Sequence, residues 1–158
     1  MSVTDNFTVR PLNVADASDL STMLLAQSPA YVRFFTPFNF HHPSIESLLA
    51  EQGKDVFMGM YRGDRLIGFF MLRGWNRGYK TPAYGVLIDE RYSDYGLTRL
   101  SLKLAKSICK LRHVPRIMLK VNPDNIIAKR LFEEAGFAQT GVDPQTGNLV
   151  YHFDINNR

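Results

Sequence analysis

Residues 82–137 decide the fold, and they read PAYGVLIDERYSDYGLTRLSLKLAKSICKLRHVPRIMLKVNPDNIIAKRLFEEAGF. The pattern predicts a strand over Ala83–Ile88, a helix over Leu97–His113, a strand over Arg116–Val121, and a second helix that Asn125 begins and Gly136 ends. A strand–helix–strand order predicts a parallel strand pair, because the chain must cross back before the second strand starts. Apolar residues at helical spacing define the expected inner face of the first helix: Leu97, Leu100, Leu104, Ile108 and Leu111.

The turn from Asp89 to Gly96 leads from the first of these strands straight into a helix. The first N–H groups of a helix have no intrahelical partner, and the helix dipole places partial positive charge on them. Main-chain amides in this arrangement bind anions. We therefore expect the turn to bind a cofactor that carries a pyrophosphate, although a glycine in a strand-to-helix turn also has a purely structural interpretation.

Patterns outside this stretch predict two more helices and five more strands, with an irregular aromatic segment over Ala30–His42. The expected helices are Asp16–Gln27 and Ser44–Gln52, and the expected strands are Phe7–Leu12, Val56–Tyr61, Leu66–Arg73, Phe137–Thr140 and Leu149–Ile155. The order is β-α-α-β-β-β-α-β-α-β-β. This order predicts an α/β (α+β) fold with a mixed, mostly antiparallel sheet of six to seven strands and helices on both faces. We expect residues 1–158 to form a single domain.

Composition indicates a soluble globular protein, with 45% hydrophobic and 22% charged residues. No apolar run approaches the roughly 18–20 residues of a membrane span, so no membrane partner is expected. Cys109 is the lone cysteine, and residues 1–6 do not resemble a secretion signal, so we expect a cytoplasmic location. No His, Cys, Asp or Glu set has metal-ligand spacing, so no metal is expected. The net charge of +4 and the basic residues of the 97–113 helix are interpreted as a solvated face, with an anionic ligand as the alternative.

Three motifs together resemble one family. The turn Tyr92–Thr98, the segment Val121–Ala128 and the helix end Leu131–Phe137 resemble the GNAT superfamily of acetyl-CoA-dependent N-acyltransferases. The order of elements agrees over nearly the whole chain, and the likeness is sharpest over Ala83–Phe137. In that family the turn usually reads Arg/Gln-x-x-Gly-x-Gly/Ala. At the three defining positions this chain carries Ser93, Gly96 and Thr98.

The resemblance implies acetyl-CoA as co-substrate and a sheet that opens between its fourth and fifth strands. The pantetheine arm is expected to pair with the fourth strand as an added β-strand. The diphosphate is expected on the amides of the turn, with an asparagine at the start of the following helix contacting the arm. The implied cofactor-binding residues are Val86, Leu87, Ile88, Asp94, Tyr95, Gly96, Leu97, Thr98, Arg99 and Asn125.

The usual acid–base pair of the family is missing from its positions. Many relatives use a tyrosine on the helix after the fifth strand as general acid and a glutamate near the end of that strand as base. The matching residues here are Phe132 and Lys120. Catalytic candidates in their place are Tyr84 and Glu90, with Tyr92, His41 and His42 as further substitutes. Packing is the competing interpretation for Tyr84.

The resemblance implies direct attack of a primary amine on acetyl-CoA in a ternary complex. Arginines and aromatic residues favour a small-molecule amine, with a nucleotide-linked amino sugar preferred. The candidate acceptor-binding residues are Arg33, His41, Arg73 and Trp75. Alternatives are an acetyltransferase of protein amines and a non-catalytic acyl-CoA-binding module. Nucleic acid is disfavoured as a partner because no stacking platform adjoins the basic helix, and a homodimer through edge strands is a further candidate assembly.

Overall fold

The computed structural model describes residues 6–155, and it has the predicted order of elements with one short helix added. The strands are β1 (Phe7–Pro11), β2 (Val56–Arg62), β3 (Arg65–Arg73), β4 (Ala83–Ile88), β5 (Arg116–Val121), β6 (Ala138–Val142) and β7 (Leu149–Asp154). The helices are α1 (Ala17–Leu25), α2 (Pro29–Val32), α3 (His42–Ala50), α4 (Leu97–Leu111) and α5 (Ile126–Glu134). The added helix, α2, forms because Ser28 caps the N–H of Tyr31 and Pro29 suits a first helical position.

The seven strands form one sheet in the order β1-β2-β3-β4-β5-β7-β6. Neighbouring strands are antiparallel except β4 and β5, which are parallel, so the predicted mixed, mostly antiparallel sheet is confirmed. Pairing of β4 with β5 is limited to Ala83 opposite Met118. Both strands run on from this pair without further pairing. The sheet is therefore parted between its two halves toward the carboxyl ends of β4 and β5.

Helices lie on both faces of the sheet, as predicted. A core of α1, α3 and one face of β2–β4 includes Leu20, Ile45 and Leu87. A second core on the opposite face joins α4 and α5 to the strands, and includes Tyr84 and Leu119. The first core contains no residue of β5, β6 or β7 among the described residues. Because side chains alternate along a strand, one side of β5 and β7 therefore remains outside both cores.

We call this uncovered side the open face, and it carries eight side chains. Those side chains are Arg116, Met118 and Lys120 of β5, Ala138 and Thr140 of β6, and Val150, His152 and Asp154 of β7. Met118, Val150 and His152 are half-buried and the other five are exposed. The alternate residues of β5, beginning with Ile117, are buried under α4 and α5. β5 is therefore accessible from the open face, whereas the opposite face is filled.

The inner face of α4 differs from the predicted stripe. Its buried residues are Ser101, Leu102, Ala105 and Cys109. Leu100 is 37% exposed and Leu111 is 80% exposed, so the prediction was wrong for both. The stripe was predicted from apolar residues alone. The small polar residue Ser101 lies in the contact as well, because its hydroxyl finds hydrogen-bond partners there.

The predicted inner face of α5 is wrong at one residue, Ile127, which is 83% exposed. The remaining predicted residues, Ala128, Leu131, Phe132 and Ala135, pack on the core. These four lie at helical spacing on one side of α5, and Ile127 lies about 100° away from Ala128. The helix therefore buries the stripe that begins at Ala128.

Candidate active site

The turn that leads into α4 presents a row of unpaired N–H groups. Gly96 has φ 75°, a left-handed conformation that glycine adopts without steric cost. The N–H of Leu100 bonds to the C=O of Gly96 at 3.1 Å, whereas the N–H groups of residues 96–99 have no partner within residues 6–155. Tyr95 differs, because its N–H bonds back to the C=O of Tyr92 at 3.3 Å. Four donors at the positive end of a 15-residue helix are suited to a diphosphate.

A surface pocket of about 270 Å³ opens beside these N–H groups. Its lining consists of Ser93, Asp94, Gly96, Leu97, Thr98, Arg99 and Leu131. The guanidinium of Arg99 is paired with the carboxylate of Glu134 at 2.7 Å, so its backbone N–H is the group left for an anion. Five predicted cofactor residues thus surround one pocket, and their role in binding stays a prediction.

The gap between β4 and β5 exposes backbone groups to an incoming strand. The N–H of Asp89 bonds to the C=O of Ile67 at 2.8 Å, in register with the β3–β4 pair. In an antiparallel pair every second residue bonds to the same neighbour, so Leu87 directs its polar groups to β3. Val86 and Ile88 direct theirs into the gap. Leu87 therefore contributes no backbone pairing there, in contrast to the expectation for all three residues.

Side chains from α2 and from the α1–α2 connection are hydrogen-bonded to the carboxyl end of β4 and the residues that follow it. The Tyr31 hydroxyl donates to the C=O of Ile88 at 2.6 Å, and burial together with the charges of Glu90 and Asp89 raises the pKa of Tyr31 to about 12. The Glu90 carboxylate accepts from Ser28 Oγ at 3.1 Å, and the backbone N–H of Glu90 donates to Oε1 of Gln27 at 2.9 Å. Glu90 therefore holds this connection in place, and its predicted catalytic role stays a prediction.

Tyr84 is buried beneath α4. Its hydroxyl is hydrogen-bonded to Ser101 Oγ, and Ser101 in turn donates to the C=O of Thr98 at 2.8 Å. Its ring meets the ring of Phe132 edge to face, with 6.2 Å between centroids. Burial raises the pKa of Tyr84 far above its ordinary value, so the hydroxyl stays protonated. These surroundings favour packing over the predicted proton transfer.

At the two positions where the resemblance implies acid and base residues, Phe132 and Lys120 make structural contacts. Phe132 is buried between Tyr84 and Phe137. Lys120 forms an ion pair with Asp143 at 2.9 Å, which joins β5 to the β6–β7 turn. Asn125 caps α5, with Oδ1 accepting from the N–H of Ala128 at 3.3 Å. Its predicted contact with the cofactor arm stays a prediction.

The four predicted acceptor residues do not form one cluster. The exposed Arg33 stacks on its neighbour Phe34, and His41 is exposed before α3. Trp75 is held under the guanidinium of Arg112, 4.5 Å from its ring centroid. Arg73 is different, because it is half-buried and lies opposite Ala83, where β4 and β5 begin to part.

Arg73 has an electrostatic setting of its own. Its guanidinium carbon lies 5.6 Å from the ring centroid of Phe38, and burial lowers its pKa. The negative charge of Asp55 opposes that shift, yet no carboxylate of the described residues forms an ion pair with Arg73. A half-buried cation without an ion-pair partner attracts an anion.

Sequence reasoning missed His152. Its Nδ1 lies 2.6 Å from Thr140 Oγ1, and Thr140 donates to the C=O of Val150 at 3.3 Å. His152 is opposite Met118, the residue that pairs with Ala83 at the start of the parted strands. Alternation around the buried Tyr151 was the available signal that His152 faces away from the core. No local pattern indicated that β7 inserts beside β5.

The described residues include no group of three or more His, Cys, Asp or Glu side chains that are arranged to hold a metal ion. Within the same part of the chain, every helix is too short or too polar to traverse a bilayer.

Comparison with known proteins gives one family and many structures of the same fold. The sequence profile of the Acetyltransferase (GNAT) family matches residues 23–137. The chain is similar to the PaiA N-acetyltransferase from Thermoplasma acidophilum in complex with coenzyme A, with a TM-score of 0.79, 13% identity, and coverage of 94% of this chain and 99% of that one. No curated protein matches the sequence.

Two further similar structures are of enzymes whose names give ribosomal proteins as their substrates. The ribosomal-protein-S5-alanine acetyltransferase from Vibrio fischeri has a TM-score of 0.79 and 14% identity, over 96% of this chain and 94% of that one. The ribosomal-protein-S18-alanine N-acetyltransferase from Escherichia coli has a TM-score of 0.72 and 15% identity, over 97% and 96%. At such identities these likenesses show the fold alone.

Proposed function

Because the chain belongs to the GNAT family of acetyltransferases, we propose that it transfers the acetyl group of acetyl-CoA to the primary amine of a small molecule. The observation that carries this proposal is the combination of the parted strands with the unpaired N–H groups of residues 96–99, which we call the anion cradle. The strands β4 and β5 separate after Ala83 and Met118, and unpaired N–H groups of residues 96–99 lie at the carboxyl-terminal side of β4. A diphosphate on the cradle would direct its arm along Val86 and Ile88.

The roles of the chain's own residues follow from this geometry. Acetyl-CoA, when bound, supplies an acetyl group in a thioester. The amides of residues 96–99 hold the diphosphate, and the backbone of Val86 and Ile88 holds the arm, so that an amine at the start of the gap is near the reacting carbonyl. Holding two reactants in one geometry supplies a large part of an enzymatic rate. Phe132 has no proton to donate, but a thiol with a pKa of about 8.5 leaves as thiolate without an acid.

Arg73 supports an acceptor that carries an anionic group. It is half-buried beside Ala83, lacks an ion-pair partner among the described residues, and lies against Phe38. A phosphate of the acceptor would neutralise this cation, and a sugar or base would pack on the aromatic ring. A nucleotide-linked amino sugar meets both requirements. The rival is a protein amine, which the names of two similar structures favour.

A thiol-release assay with acetyl-CoA and three amine classes tests the proposal. Phosphate-bearing amino sugars should react fastest, neutral polyamines more slowly, and peptides with amino-terminal alanine slowest. Arg73→Met should lower kcat/KM for the phosphate-bearing amine by about 10-fold or more, since a charge-assisted hydrogen bond is worth roughly 1.5–3 kcal/mol. Lys80→Met, a change of an exposed cation in the following loop, is the matched control.

Two results would reject the proposal at different levels. If calorimetry finds that the folded protein does not bind coenzyme A at millimolar concentration, both the anion cradle and the proposed enzymatic function are rejected. Fastest turnover of peptides would instead replace the small-molecule acceptor by a protein amine. A cytoplasmic location and a homodimer stay predictions.

A further inference from the structure

Within residues 6–155, the acceptor amine has one open approach to the parted strands. The face of β5 toward α4 and α5 is filled by Ile117, Leu119 and Val121, which are at most 4% exposed. On the other face, the core under α1 and α3 ends at β4. An amine that reaches Ala83 and Met118 therefore crosses the open face, where its surroundings are the side chains of β5 and β7.

His152 is the titratable ring on that face nearest to the start of the gap. It pairs with Met118 across β5 and β7, and Met118 pairs with Ala83 across β4 and β5. Neighbouring strands are about 4.8 Å apart, so the Cα of His152 is about 10 Å from that of Ala83. A water molecule between the imidazole and an amine bound over the open face would connect the two.

One tautomer of His152 fits both contacts of Thr140. The Thr140 hydroxyl lies 3.3 Å from the C=O of Val150, to which it can donate its proton. With the proton used there, its oxygen is the acceptor for Nδ1–H of His152, 2.6 Å away, when the ring carries its proton on Nδ1. Nε2 is then left with a lone pair, and no hydrogen bond involves it among the described residues. A neutral ring with a fixed tautomer and a free Nε2 is the form that a proton acceptor requires.

The charges around His152 keep the ring neutral. Partial burial and the nearby Arg116 of β5 lower its pKa below the ordinary 6.5, while Asp154 of its own strand opposes that shift. The charges of Arg116 and Asp154 largely cancel, because they form an ion pair at 2.8 Å. Lys120, the other β5 cation on this face, is paired with Asp143, and β6 brings the uncharged Ala138 and Thr140 beside the ring.

We propose that His152 is the general base of the transfer reaction, acting through one water molecule. As the amine nitrogen forms its bond to the acetyl carbon, it loses a proton through the water to Nε2. The carbon–sulfur bond breaks, its electron pair leaves with sulfur, and the proton on His152 is then released to solvent. This assignment rests on the proposed function, and it supplies the base that Lys120 at the usual glutamate position cannot.

The test combines activity with a measurement that needs no turnover. His152→Gln should lower kcat at pH 7 by about 100-fold, the lower end of the range for a general base, with the KM for acetyl-CoA unchanged. The fall of wild-type kcat/KM below pH 6.5, as the ring gains a proton, should be absent in the variant. His113→Gln, at an exposed histidine after α4, is the control and should keep wild-type kinetics.

Long-range ¹H–¹⁵N correlation spectra of the unliganded protein test the geometry independently. The His152 ring should be the Nδ1–H tautomer, with a titration midpoint below 6.5. Thr140→Val keeps the ring but removes the oxygen that accepts from Nδ1, so the tautomer should revert to a mixture and kcat should fall by several-fold. An Nε2–H tautomer in the unchanged protein overturns the assignment.

The kinetic outcomes separate this inference from the function beneath it. If the unchanged protein acetylates an amine and His152→Gln does so at the same rate and with the same pH profile, His152 is not the general base. The proposed acetyltransferase function is then retained. If the unchanged protein binds coenzyme A but transfers acetyl to no amine in any class, the proposed function and the general base fall together.

Discussion

The hydrogen-bonded pair of Tyr84 and Ser101 under α4 yields an asymmetric prediction for stability. The Tyr84 hydroxyl donates to Ser101 Oγ, and Ser101 donates onward to the C=O of Thr98. Tyr84→Phe removes one donor and leaves Ser101 its own acceptor, so the free energy of unfolding should fall by about 0.5–1.5 kcal/mol. Ser101→Ala leaves a buried hydroxyl without a partner. That change should cost about 1–3 kcal/mol, less about 0.5 kcal/mol for the better helix propensity of alanine.

The double variant separates the interaction between the two hydroxyls from the cost of each single change. With both hydroxyls gone no polar group is left unsatisfied, so the two changes together should cost less than their sum by at least about 1 kcal/mol. Urea unfolding, followed by the fluorescence of the single tryptophan, Trp75, measures each value. Additive costs of the two single changes would refute the hydrogen-bond account.

The same variants decide whether Tyr84 carries a proton in the reaction. If Tyr84 has a packing role, kcat for thiol release by Tyr84→Phe should stay within about 5-fold of wild type. A drop of about 100-fold or more with little loss of stability would show that the hydroxyl takes part in proton transfer. Because burial keeps the pKa of Tyr84 high, we expect the first result.

Three further changes test the turn before α4 and the ion pair between Arg10 of β1 and Asp16. Gly96→Ala should lower the free energy of unfolding by about 1–2 kcal/mol because of its φ of 75°, with no clash since an added Cβ meets nothing within 4 Å; thermal melting measures this. Asp94→Asn should bind coenzyme A more tightly, by about 2–3-fold for each phosphate charge within ~7 Å of residue 94, because ~0.6 kcal/mol of repulsion per charge in water is lost; in calorimetry, high salt should abolish the gain. The ion pair with Arg10 lowers the pKa of Asp16 from 3.8, so this carboxylate stabilises the fold above pH 3.8 and the stabilisation is lost as pH falls through the lower folded value. Asp16→Asn should therefore flatten the acid limb of stability measured between pH 5 and pH 2.

Much of the fold was predictable because its signals are local. Alternation and helical spacing identified the β4–α4–β5–α5 order, and the Gly96 and Asn125 positions marked the helix starts, since turn and cap chemistry depends on adjacent residues. Ile127 and Leu111 were misjudged because apolar character alone does not say which side of a helix meets the sheet. Ser101 was missed for the same reason, since its burial depends on a hydroxyl partner from another element.

The sequence by itself determined the order of the elements, the GNAT likeness and the turn at Gly96 that we propose for the diphosphate, because each depends on residues that are neighbours in the chain. Only the tertiary structure decided that β7 lies between β5 and β6, and that Arg73 and His152 flank the point where β4 and β5 part. His152 lies 34 positions beyond Met118 along the chain, yet the two are opposite each other in the sheet. Such juxtapositions depend on strand pairing across the whole fold, and no pattern within either strand specifies its neighbour.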